Sequence, residues 1–169
     1  MEAVIGALAS FIGVLVGAFL AQAATGRHDR MVMTADLHRE LHSPAMIDAR
    51  YAAAALVEGN RGLDYAQLRE LVGPQGIADL RKVMYYFQRL WLSVETGTLH
   101  DAHVPRLFGD TFSWWYENTF KEHLVGTTTE VGRDVEALHT WLLQHSTAAD
   151  RALWQGADLA IWRRPDPAV

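Results

Sequence analysis

The chain contains no cysteine. That absence removes disulfides, thiolate zinc sites, iron–sulfur clusters and cysteine nucleophiles together, and it suits a reducing compartment. No basic stripe is present: 15 Lys and Arg stand against 20 Asp and Glu, a net charge of −5, so no nucleic-acid partner is expected. The sequence has no glycine-rich phosphate loop, no nucleophile elbow and no complete metal motif, and no nucleophile–base–orienter set can be assembled from it. A non-enzymatic protein without a cofactor is expected. Alternating strand patterns are scarce, and internal repeats, low-complexity tracts and flexible linkers are missing. What is present is a 169-residue chain, 50% hydrophobic and 21% charged, sized for about one globular domain.

Charge is also lacking from Ala3 to Ala24, where "AVIGALASFIGVLVGAFLAQAA" carries one strongly polar residue, Gln22. A helix of about 20 apolar residues, rising about 1.5 Å per residue, spans the hydrocarbon core of a bilayer. A buried soluble helix would show a polar face, and this one has none. A cleaved signal peptide is the sharper rival, because Ala21-Gln22-Ala23 resembles a small-x-small cleavage site. Its n-region, Met1-Glu2, is acidic where a signal peptide carries Lys or Arg, which favours a retained anchor over residues 1–26. No Lys or Arg precedes the span, whereas Arg27 and Arg30 follow it. The positive-inside tendency then puts the N-terminus outside the inner membrane and the main domain in the cytoplasm. Gly6, Ser10, Gly13 and Gly17 form a small-residue face suited to close packing with a second copy or with another membrane subunit's helix.

Beyond the anchor the punctuation is that of helices. Residues 27–42 have few breakers and are expected to continue as a juxtamembrane stalk, with a helical domain over 43–169. Ser43-Pro44 reads as an N-cap followed by proline at the first helical position, opening a helix that ends at Gly59. Asp64 caps a short helix stopping at Gly73-Pro74. The next, roughly 75–95, carries Ile77, Leu80, Val83, Met84, Phe87, Leu90, Trp91 and Val94 at three- and four-residue steps, the clearest amphipathic stripe in the chain. Asp101 is expected to cap a helix through Leu107, and Gly109-Asp110 to stop it and start another over Thr111–Leu124. Thr127 with Glu130, and Thr147 with Asp150, fit capping boxes opening two last helices. The fold expected is all-α: one transmembrane helix, then a compact bundle of about six or seven helices.

Residues 36–124, through "LHSPAMIDAR", "VMYYFQRLWLSVETGTL" and "VPRLFGDTFSWWYE", resemble the DUF4760 type of bacterial membrane-anchored helical protein. That pattern is a helix bearing an arginine (here Arg50), a long helix ending in glycine, and a helix with a tryptophan pair. These are packing signatures. The resemblance implies a membrane helix with a small cytoplasmic helical domain, and no activity.

Candidate sites are few. His38 and His42, four apart with Glu40 between, share a helix face suited to a metal. Arg39 occupies the position where a zincin has Glu and no third ligand is assignable, so solvated surface histidines are expected. Glu136 and His139 make half of a di-iron carboxylate motif whose second half is absent. His100 and His103 flank Asp101 beside a helix start, where capping is the default. No histidine lies in the span to hold a haem or chlorophyll-type pigment. Arg50, on an alanine-rich helix, reads either as a strut paired with an acid such as Glu95 or Glu117, or as a ligand-binding guanidinium. Neighbours on a helix point about 100° apart, so of Trp114 and Trp115 one is expected in the core and the other at an edge or contact. Six tryptophans exceed what so small a core requires, which makes Trp114, Trp141, Trp154 and Trp162 candidate contact residues.

Two functional readings follow. The first is a non-catalytic, single-pass accessory or scaffold subunit of a bacterial membrane complex, respiratory or photosynthetic in type, in contact with lipid and other subunits. The second is a membrane-anchored sensor or small-ligand binder with Arg50 and Trp114 lining a pocket.

Overall fold

A computed structural model of the chain describes residues 25–124 and 129–155. Every regular element among them is helical: α1 over 25–41, α2 (Pro44–Glu58), α3 (Tyr65–Gly76), α4 (Ala78–Glu95) and α5 (Val104–Trp115). A π-helical turn (Tyr116–Phe120) leads into α6 (Lys121–His123), followed by α7 (Glu130–His145) and α8 (Ala148–Gln155). Among the described residues no helix is long and apolar enough to cross a membrane. The expected span, its Gly6, Ser10, Gly13 and Gly17, and Trp162 lie outside the described residues.

Several helix starts form as their residues dictate. The Ser43 hydroxyl accepts the Met46 N–H at 3.3 Å, with Pro44 at the first helical position. Asp64 and Gln67 form a reciprocal capping box, and so do Thr147 and Asp150. Other expectations are corrected. The cap of α7 is Thr129, accepting the Gly132 N–H, rather than Thr127, which lies outside the described residues. His103, not Asp101, stands at the N-cap of α5, with no side-chain capping bond. The stop expected at Gly73-Pro74 does form: Gly73 leaves helical geometry at φ +73° and ψ 174°, and Pro74 opens one further helical turn that closes α3 at Gly76.

The largest correction is at Gly109-Asp110. α5 runs straight through this pair, and the stop expected there does not occur. The glycine serves packing instead: a Cβ on Gly109 would lie 2.2 Å from the Trp154 ring, so the indole of α8 rests directly on the α5 backbone.

α4 is the centre of the core. Its stripe from Ile77 to Val94 is buried as expected, apart from the half-buried Trp91, and Tyr86 joins it at 2% exposure. α2 packs on one side of α4 and α7 on another, while α5 packs on α7 and α8. The second half of α1 also belongs to the bundle. Leu37 and Leu41 are buried, the Tyr86 hydroxyl donates to the Leu37 carbonyl at 2.9 Å, and Thr34 accepts the His100 N–H at 2.9 Å. The segment read as a stalk therefore docks from Thr34 onward.

Gly109→Ala is expected to destabilise the protein. Overpacking against a ring costs about 1–3 kcal/mol, against roughly 0.5–1 kcal/mol gained in helix propensity. Chemical denaturation of a double-mutant cycle checks the cause: in a Trp154→Ala background the same substitution is expected to be neutral or stabilising.

Candidate functional site

Two helical stripes face one another across a cavity of about 260 Å³. From α2 come Ile47, Arg50, Tyr51 and Ala54, at steps of three, one and three, which is one face of a helix. α5 contributes Asp110, Thr111, Trp114 and Trp115, two pairs four residues apart. His42, just past the end of α1, adds a further wall. Because α2 lies on α4 while α5 lies on α7 and α8, the two stripes border a space between them.

Arg50 is the deepest charge at this site, 5% exposed, between Ala49 and Ala53 on the buried side of α2. Burial pulls its guanidinium below the ordinary arginine value, while Tyr51, Tyr86 and Asp110 act to hold it up. The strut expected with Glu95 or Glu117 is not what forms. Glu95 is exposed, and Glu117 pairs with Lys121 at 2.9 Å. The carboxylate whose field reaches Arg50 is Asp110, on the same cavity wall.

The tryptophan pair divides its roles. Trp115 is core, 1% exposed, and its ring stacks on Phe120. That stacking over five residues follows from the π turn, in which the Lys121 N–H bonds to the Tyr116 carbonyl five back instead of four. Trp114 is half-buried and meets Trp115 edge to face at 5.0 Å. Although one ring is in the core and the other is not, both line the cavity. The indole N–H of Trp115 is buried without an acceptor among the described residues.

The remaining candidates are placed elsewhere. Trp154 covers Gly109, and Trp141, half-buried, stacks on His145 at 4.1 Å, so each packs within the chain. His38 and His42 have ring centroids 4.5 Å apart, and among the described residues no group of three His, Asp or Glu is placed to hold a metal. His139 stacks flat on Tyr116 at 3.7 Å instead of pairing with Glu136 at a metal centre. His100 and His103 lie against each other at 4.5 Å. A second cavity of about 240 Å³, with Arg69, Arg81 and Tyr85 on its walls, is bordered by exposed cations.

No family model, curated protein or solved structure matches the chain. The cavity must be interpreted from its own chemistry.

Of this site the sequence marks Arg50 and Trp114 as binding residues and His42 as a weak metal-ligand candidate; Ile47, Tyr51, Ala54, Asp110 and Thr111 carry no binding signal of their own. A signal for the α2 half existed, since 47, 50, 51 and 54 repeat at helical spacing on a mixed apolar and polar face.

Partial desolvation lowers the pKa of the half-buried His139 and of His42, which itself remains exposed, from the ordinary 6.5. His38 and Arg50 push His42 further down and Asp110 opposes them; Lys121 adds to the lowering at His139, where Glu117 and Glu136 oppose it. As pH falls through 6.5, the unfolded chain takes up protons that these folded-state histidines do not, so the folded state loses stability until the lowered values are reached. Melting temperature is expected to drop on acidification from neutral pH, and His139→Phe, which keeps a ring against Tyr116, is expected to shrink the drop. An unchanged slope would exclude His139 as a contributor.

Proposed function

We propose that this protein is a small-ligand-binding helical module held at a membrane by the charge-free run 3–24. The observation that supports this reading best is the cavity between α2 and α5, where a buried guanidinium, aromatic faces and hydroxyls converge. Its volume of about 260 Å³ suits a ligand of metabolite size, just under the usual range for drug-sized pockets. The DUF4760 resemblance supports a membrane helix followed by a small helical domain, and Arg27 and Arg30 favour an orientation with that domain in the cytoplasm.

A specific observation favours the accessory-subunit reading as the second. Met31, Val32 and Met33 are each close to half exposed on α1, an apolar run suited to lipid or to a partner's membrane helix.

The test uses the full chain in neutral detergent with a fragment set of mixed charge. At least one fragment class is expected to raise the melting temperature and slow hydrogen exchange over 47–54 and 110–115. Ala54→Phe, which fills the cavity from α2, is expected to abolish both effects while leaving helix content in place. A set without any such fragment would sink the ligand reading. Stoichiometric co-purification of another membrane protein, lost when Met31 and Met33 become Ser, would put the accessory-subunit reading in its place.

A further inference from the structure

The cavity walls are rich in donors. Arg50 contributes a guanidinium, and Tyr51 and Thr111 contribute hydroxyls. Asp110 is the carboxylate among the lining residues; it is exposed, and its Oδ1 accepts the Thr111 N–H at 2.5 Å. A buried cation on the wall favours a ligand that brings negative charge. The volume of about 260 Å³ corresponds to roughly nine waters at about 30 Å³ each, hence to a ligand of comparably few heavy atoms.

Resting on the reading of this cavity as a ligand site, we propose that it takes a small aromatic monocarboxylate, its carboxylate at Arg50 and its ring against Trp114 and Tyr51.

Each alternative ligand class meets a physical obstacle. A cation would find the aromatic walls but would enter beside a buried guanidinium, with its counter-charge on the solvated Asp110. A phosphate dianion is strongly hydrated and calls for several fixed cations, whereas this wall supplies Arg50 and a histidine whose protonation is disfavoured. A neutral ring would fill the space without using the charge of Arg50. A guanidinium fork matches a carboxylate, and a flat ring matches indole and phenol faces.

The groups facing His42 are His38 from α1, Arg50 from α2 and Asp110 from α5. Partial desolvation and the two basic neighbours disfavour protonation of this exposed imidazole. An anion at Arg50 offsets them, so His42 takes up a proton as the ligand binds, and acidification in turn strengthens binding.

The experiment is calorimetry and tryptophan fluorescence on the full chain in detergent, with benzoate, acetate, benzyl alcohol, benzylammonium and inorganic phosphate as probes. Benzoate is expected to bind saturably, at least about tenfold tighter than any other probe. Its affinity is expected to rise roughly three- to tenfold from about pH 7.5 to about pH 5.5, and the rise to flatten in His42→Gln. Arg50→Gln is expected to remove benzoate binding. Because that buried site could compromise folding, Trp114→Ala on a half-buried ring is the second variant, expected to weaken benzoate about tenfold but acetate little. Benzyl alcohol or benzylammonium binding as tightly as benzoate overturns the carboxylate assignment and leaves a ligand cavity standing. A pH-independent benzoate affinity overturns the role of His42. If no probe binds, the proposal falls, and protection of 47–54 by other fragments then decides whether the cavity reading falls with it.

Discussion

Phe87 is the contact on which the bundle closes. Without any exposure, its ring meets Phe112 of α5 at 5.2 Å and Phe120 of the π turn at 5.7 Å, both near edge to face, with Tyr86 at 5.3 Å. Each such pair contributes about 0.5–1.5 kcal/mol beyond the apolar area it buries. Phe87 thus ties the long central helix to the helix that carries the tryptophan pair. By comparison, the ion pairs Arg39–Asp36, Arg133–Glu130 and Lys121–Glu117 are solvent-exposed and contribute little.

Given that anchor, two local devices on α5 set the cavity wall. The π turn after Trp115 inserts an extra residue per turn, so Trp115 and Phe120 share a face that regular α-helical spacing would have separated. Trp115 is thereby held in the core while Trp114, one residue earlier, stays at the cavity edge. Gly109 is the second device: without a side chain it lets the Trp154 ring lie on the backbone, fixing α8 to α5 on a side away from the cavity-lining residues.

Arg50 gives the cavity its character. Its neighbours Ala49 and Ala53 bury α2 against the core with small side chains, and the long arginine between them ends at the cavity wall. A desolvated guanidinium is stabilised by any acceptor that reaches it, which is the physical link between the fold and the ligand chemistry proposed for it.

Much of the helical order was legible in the chain because capping and helical periodicity are local: Ser43-Pro44, Asp64 with Gln67, Thr147 with Asp150, and the stripe from Ile77 to Val94 all act over four residues or fewer. That one tryptophan of the pair belongs in the core and the other at an edge was equally readable from the angle between neighbours. Three features were not. Gly109 read as a helix stop because its reason, a ring 45 positions along the chain at Trp154, is invisible locally. The π turn leaves no period of its own in a five-residue segment. Arg50 suggested Glu95 or Glu117 as partners, yet Asp110 is the carboxylate near it, because the approach of α2 to α5 is decided by how both pack around α4 and α7. The sequence by itself determined which segments are helical and which faces are apolar, since these follow from short-range backbone and side-chain preferences. Only the tertiary structure decided that two of those faces would enclose a donor-lined space, because a cavity depends on the distance between helices, and packing sets that distance.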